Sequence, residues 1–282
     1  MGSGTKKTAV IAMLGIMMCS VSVKAEESEN WIPVFDDALS QATEISPVEV
    51  ELGFTLANMY LWRGQKLGSD TSWMPYVTVS PDFEPLGNAS FTYWADMTQH
   101  VEGDDNLEMD FVFDYTVEMM DLLALCCYDQ NAAPEWANLL LDLSLSAGYI
   151  NYYFPPTQDD SHEVYGSITF NKIPLNPSMA IYNDFGQGSG VWLEWGVSHA
   201  FDLKYFMLNV YSILGYNHRQ WGKTSALSTI VYGASIPVPL GAHMKIEPFL
   251  SYSQRLERTF TDDDTDLVHD EWYGGFNYSI SF

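Results

Sequence analysis

The stretch LEMDFVFDYTVEM at 107–119 sets Glu108, Asp110, Asp114 and Glu118 on even positions and Leu107, Met109, Phe111, Phe113, Tyr115 and Val117 on odd ones. In an extended chain successive side chains project to opposite faces, so one face is apolar and the other carries four carboxylates. Carboxylates in a row on the wall of a narrow water-filled space focus a negative potential that attracts cations and repels anions. The same face in the other alternating segments adds Glu51, Asp96, Asp142, Glu163, Asp184, Glu194 and Glu247, against Lys245, Arg255, His243 and Arg63. The candidate pore-lining set is therefore Glu108, Asp110, Asp114, Asp142, Glu163, Glu194, Lys245 and Glu247. Asp142 is expected on the strand next to Glu108, Asp110 and Asp114, with Lys245 facing them across a constriction. The alternative is a filled interior in which the acids pair with these bases and with Ser, Thr and Tyr hydroxyls.

Other chemistry has weaker support in the residues. Ser198 and His199 are neighbours in an alternating segment and point to opposite faces, so they cannot act together. His100, His162, His218 and His269 lie in or beside loops, and no spacing selects a serine partner for any of them. No G-x-S-x-G or H-E-x-x-H is present. Asp104-Asp105, Asp159-Asp160 and TDDDTD at 261–266 are acidic loops; the last resembles the start of an EF-hand but has Leu267 where the Gly is required. The adjacent Cys126-Cys127 would form either a strained, redox-labile disulfide or two small apolar positions. No catalytic residue, metal or cofactor is assigned, and the chain is read as not an enzyme.

Alternation with a period of two defines about twelve segments: 48–60, 72–82, 89–98, 107–118, 138–153, 162–171, 178–185, 191–202, 205–217, 228–237, 242–256 and 271–282. Aromatics sit near their ends: Tyr60, Trp62, Trp73, Tyr93, Tyr149, Tyr152, Trp195, Tyr216, Tyr232, Tyr252, Trp272 and Phe282, as in the girdles of a transmembrane barrel. Odd connections are mostly polar and rich in Asp and Gly, and even ones are short and carry Pro or Gly. Residues 119–136 are the exception, a periplasmic insertion of one or two helical turns. A sheet with an apolar outer face in hydrocarbon must close and leave no edge, so the last strand pairs with the first. The expected fold is all-β: a transmembrane antiparallel up-and-down β-barrel of about 12 strands with periplasmic N- and C-termini.

The N-terminal residues supply the address. Lys6 and Lys7 precede an apolar stretch from about Ala9 to Val23, and Val23-Lys24-Ala25 has a cleavage-site pattern, so 1–25 reads as a cleaved signal peptide. Residues 26–47 form a periplasmic segment that lies across the mouth or has no fixed structure, and 48–282 form the barrel. The net charge of −25 at pH 7 excludes nucleic acid as a partner. The expected location is the outer membrane of a Gram-negative bacterium. The expected partners are lipid and lipopolysaccharide, the barrel-assembly machinery, and small cationic or neutral solutes.

The terminal NYSISF resembles the last strand of outer-membrane barrels, which ends in Phe and serves as an insertion signal; here Tyr278, Ile280 and Phe282 carry it. LANMYLWRGQ at 56–65, YYFPP at 152–156, EVYGSITF at 163–170, GSGVWLEWGVSHAF at 188–201 and LNVYSILGYN at 208–217 resemble the TorF-type porin family. That resemblance implies an outer-membrane channel and no catalytic residue. The reading is a porin-like passive diffusion channel with cation preference. The alternatives are a filled structural or adhesin-type barrel acting through its external loops, and an outer-membrane hydrolase.

Overall fold

The computed structural model describes residues 48–68, 70–98, 106–126, 131, 133–155, 157–222, 225–257 and 268–282. The expected signal peptide at 1–25, the segment 26–47, Asp104-Asp105, Cys127 and TDDDTD lie outside the described residues. The elements are β1 (Glu49–Ala57), β2 (Tyr60–Trp62), β3 (Gln65–Gly68), β4 (Ser72–Ser80), β5 (Asn88–Thr98), β6 (Asn106–Glu118), α1 (Met119–Leu125) and α2 (Glu135–Leu141). They continue with β7 (Leu143–Phe154), β8 (Asp159–Phe170), β9 (Ser178–Asp184), β10 (Gly190–Asp202), β11 (Met207–His218), β12 (Ser225–Ser235), β13 (Val238–Pro239), β14 (Met244–Arg255) and β15 (Glu271–Ser281).

Twelve of these strands pair antiparallel in a closed ring. β4 to β12 follow one another in chain order, β12 pairs with β14, β14 with β15, and β15 with β1, which returns to β4. At the seam Glu51 faces Ser281 and Ala57 faces Gly275, and Phe282 and Val50 exchange backbone bonds of 3.0 and 3.4 Å. Phe282 is thus the final rung of the sheet, and closure leaves no strand edge exposed. Among the described residues no helix is long and apolar enough to cross a membrane.

The outer face carries Phe91, Phe113, Val164, Ile181 and Leu250, each about half exposed, with Leu250 at 54%. Large apolar residues exposed all round a barrel would aggregate in water, whereas hydrocarbon is the solvent that suits them. Twelve residues rising about 3.3 Å each, tilted by about 40°, span roughly 30 Å, the hydrocarbon thickness of a bilayer. Trp73 and the Tyr252–Trp272 pair mark one rim, and Phe201, Phe206 and Phe282 the other. Val48 and Phe282 share this second rim with the short turns at 81–87, 171–177 and 203–206.

Three expectations are corrected. The segment 138–153 is not one strand, because Glu135–Leu141 is helical and β7 begins only at Leu143. Pro134 at the N-cap, Glu135 in the first turn and the Ala and Leu that follow favour a helix, and a run of apolar residues does not distinguish helix from strand. The insertion consequently runs to 142 and holds two helices among the described residues. The first strand stops at Ala57 instead of Tyr60, since the chain turns into a hairpin. Finally, Tyr60, Trp62 and Tyr152 belong to the inside and not to the outer girdle: the first two sit on that hairpin, and Tyr152 shares the inner face of β7 with Gly148.

The outer face makes a direct prediction. Val164→Arg, on the lipid side of β8, should destabilise the barrel by about 2–4 kcal/mol in urea titrations of vesicle-inserted protein.

Candidate functional site: an acidic lumen crossed by a hairpin

Strand register assigns the inner face. On β6 it comprises Glu108, Asp110, Val112, Asp114, Thr116 and Glu118, facing Asp96 and Trp94 on β5 and Tyr152, Gly148, Ser146 and Ser144 on β7. Glu163, Tyr165 and Ser167 continue it on β8, Asp184 and Tyr182 on β9, and Trp192 and Glu194 on β10. Lys245, Glu247 and Ser251 on β14 face Ser279, Asn277 and Tyr273 on β15. Polar residues thus cover the inside because every second residue of an apolar-outward strand must point there.

In the half nearer the short turns, the hydrogen bonds run along the wall. Thr55 donates to Asn277 at 2.7 Å, Ser235 to Glu247 at 2.6 Å, and Ser144 to Glu118 at 2.8 Å. Three tyrosines use one device. Tyr76 lies over Gly53 and donates to Glu51, Tyr165 lies over Gly148 and donates to Asp114, and Tyr211 lies over Gly233 and meets Ser251 at 2.8 Å. A Cβ at Gly148 would stand 2.5 Å from the Tyr165 ring. The glycines let each ring lie flat on the wall, so the aromatic bulk stays off the barrel axis. At the turn-bearing rim a cavity of about 630 Å³ lies between the turn residues Tyr205, Phe206, Pro237 and Ala242 and the strand ends that carry Glu51, Lys245, Ser279 and Ser281.

The opposite half is different. Trp62 faces Gln65 across a two-residue turn in which Arg63 has φ 49° and Gly64 φ 80°. Positive φ at both central residues is the type I′ geometry that suits a tight hairpin. This hairpin folds into the barrel and crosses it. Tyr60 packs on Ala57, Met74 and Trp94, Trp62 meets Tyr152 edge-on at 6.0 Å, and Lys66 pairs with Glu271 at 2.9 Å. At the tip Gly64 touches Thr229 of β12 so closely that a Cβ would collide with its methyl group.

Arg63 anchors the tip. Its guanidinium donates to both oxygens of Glu163, at 2.7 and 3.0 Å, and to Gln220 Oε1 at 2.7 Å. Trp62 and Tyr182 flank it at 4.5 Å and Trp192 at 5.5 Å, distances at which the ring faces attract a cation. Glu163 is fully buried and also accepts from Tyr152 at 2.8 Å and from Gln220. A bidentate pair whose remaining lone pairs are hydrogen-bonded is the form in which a buried ion pair offsets its desolvation. Gln220 is in turn fixed by Asn217, through bonds of 2.8 and 2.9 Å.

The structure therefore separates the residues that the sequence groups together. Glu108, Asp110 and Glu163 gather beside the hairpin, while Asp114 lies further along the wall under Tyr165, and Glu194 accepts from the Trp192 indole at 2.8 Å. Asp142 is not on a strand; it caps α2 and pairs with Lys172 at 2.5 Å. Lys245 pairs with Glu247 at 3.2 Å near the turn-bearing rim, at the other end from Glu108 and Asp110, so the base facing the buried acids is Arg63. Sequence reasoning overlooked the hairpin's place inside the barrel, although the Arg-Gly turn between Trp62 and Gln65 marks a hairpin. Tyr278, Ile280 and Phe282 share the outer face of the seam strand. His199 faces outward against Phe201, and an exposed Ser225 meets His218 Nδ1 at 2.9 Å, with no carboxylate completing the pair among the described residues. Cys126 is exposed at the end of α1.

Gly148→Ala should cost about 1–3 kcal/mol in urea unfolding, because the ring must leave the wall. Tyr165→Ala in the same chain should remove much of the overlap penalty, so the double variant loses less than the two single ones added together.

Among solved structures the chain is similar to several outer-membrane proteins. The KdgM porin in complex with disordered oligogalacturonate matches at TM-score 0.45 and 9% identity, over 83% of this chain and 98% of that one. An outer membrane channel from Pseudomonas putida F1 matches at 0.44 and 8%, over 83% and 94%. OmpF of Salmonella typhi in complex with daunomycin matches at 0.36 and 7%, over 84% and 97%. No family model and no curated protein matches, so the TorF-type resemblance gains no support from either. These likenesses are too remote to carry a function, and what the barrel does must be argued from its own interior.

Proposed function

We propose that the chain is an outer-membrane diffusion channel of a Gram-negative envelope, exported through a cleaved signal peptide and set with both termini in the periplasm. Tyr278, Ile280 and Phe282 would present the outer face of the seam strand to the assembly machinery, and the outer belt and acidic loops would meet lipid and lipopolysaccharide. The supporting observation is the lateral routing of hydrogen bonds in the turn-bearing half, where tyrosine rings lie on glycines along the wall and the acids are bonded to neighbours on the same wall. Asp114, Glu118, Glu247 and Glu51 line that half beside Lys245, with Glu194 nearer the hairpin under the Trp192 indole, so the solutes it passes are small cations or neutral molecules. The hairpin held by Arg63 is the constriction.

A second reading has its own observation: the same hairpin crosses the lumen and can keep a filled barrel shut. Single-channel current in a planar bilayer under a KCl gradient decides between the two. The channel reading expects discrete steps and a reversal potential on the cation side, moved toward zero by Asp114→Asn with Glu194→Gln. Removing one partner of a buried pair costs about 3–5 kcal/mol, so Arg63→Ala should loosen the hairpin and enlarge the steps. Folded wild type and folded Arg63→Ala that both stay silent would establish the filled barrel.

A further inference from the structure

A second cavity, of about 310 Å³, opens at the loop-bearing rim between the hairpin and the wall. Its lining combines two chemistries. Tyr60, Phe154 and Trp221 supply aromatic surface, with Phe154 and Trp221 edge-on at 6.4 Å, while Asp96, Glu108 and Asp159 supply carboxylates. Asp96 and Glu108 face each other across β5 and β6 and are almost wholly buried, at 1% and 7% exposure, whereas Asp159 is exposed at the entrance. Two residues further along the inner face of β6, Asp110 Oδ1 is buried and has no hydrogen-bond partner among the described residues.

Buried carboxylates this close repel one another, and a cation between them would relieve the repulsion. The Arg63 guanidinium is bound at both ends of its fork to Glu163 and Gln220. A metal ion is the poorer match, because no group of three His, Cys, Asp or Glu among the described residues is arranged to hold one. Aromatic faces beside a carboxylate instead suit an organic ammonium or guanidinium with an apolar body. This chain already binds one cation in that way, since Arg63 rests among Trp62, Tyr182, Trp192 and Glu163. Trp221 joins that aromatic cluster to the cavity. A volume of about 300 Å³ is at the small end of ligand pockets and fits a single-ring ligand.

We propose that this vestibule binds organic monocations carrying an aromatic or aliphatic body, the charge against Asp96 and Glu108 and the body against Tyr60, Phe154 and Trp221. Its meaning as the first stop on a permeation path rests on the channel reading; the binding itself does not.

The test is calorimetric titration of the folded full barrel in detergent with benzyltrimethylammonium, tetramethylammonium and benzyl alcohol. Folding of each variant is checked by heat-modifiable electrophoretic mobility. Benzyltrimethylammonium should bind saturably, tetramethylammonium more weakly, and benzyl alcohol without saturation. Glu108→Gln with Asp96→Asn should weaken the first by about tenfold, as should Trp221→Ala, each corresponding to about 1.4 kcal/mol. If the double carboxylate variant does not fold, Trp221→Ala and Asp159→Asn carry the comparison. Absence of saturable binding, equal binding of the neutral alcohol, or folded variants that bind like wild type would each overturn the proposal. A barrel that binds but never conducts overturns only the channel reading, and one that conducts without binding overturns only this one.

Discussion

Hydrocarbon offers no hydrogen-bond partner to a peptide group, and the rest of this structure follows from that constraint. A sheet with an apolar outer face cannot end, so β15 must find β1, and the exchange of bonds between Phe282 and Val50 completes the ring at its last residue. Closure also fixes the alternation, because a strand slipped by one residue would turn Asp110 and Asp114 toward lipid and Phe111 and Phe113 toward the lumen. Register, pairing and sidedness are therefore consequences of one requirement.

Closing the sheet creates a second problem inside it. The inner wall of an acidic chain gathers carboxylates faster than bases, and each must be hydrated or paired. Tyrosine hydroxyls and Ser and Thr side chains answer this along the wall, and Gly53, Gly148 and Gly233 provide the flat ground on which the rings lie. These residues are spread along the chain with nothing local in common. What unites them is that each glycine stands beside a tyrosine of the adjacent strand.

Where the wall cannot satisfy its acids, the hairpin does. Glu163 is buried because Arg63 arrives with a complete set of partners: a bidentate fork, three aromatic faces and Gln220. Charge neutralisation and constriction are thus a single contact. The same residues that cross the lumen leave Glu108 and Asp110 on the near side of the hairpin, so the electrostatic character of the loop-bearing half differs from that of the turn-bearing half.

Twelve strands, the seam and most inward and outward faces were legible in the sequence, since alternation with a period of two is a local property that hydrocarbon converts directly into orientation, although Tyr152 faces inward and not into the girdle. The face of Glu108, Asp110 and Asp114 could be read from LEMDFVFDYTVEM without any knowledge of their neighbours. Which of those acids lie at the same height, and what neutralises them, is fixed only once the barrel has closed. A side chain's level along the barrel depends on strand tilt and cumulative register, and the path of a loop depends on contacts far away in sequence. Hence Lys245 stands at the far rim, Asp142 caps a helix, and Arg63, one hundred residues from Glu163, became its partner.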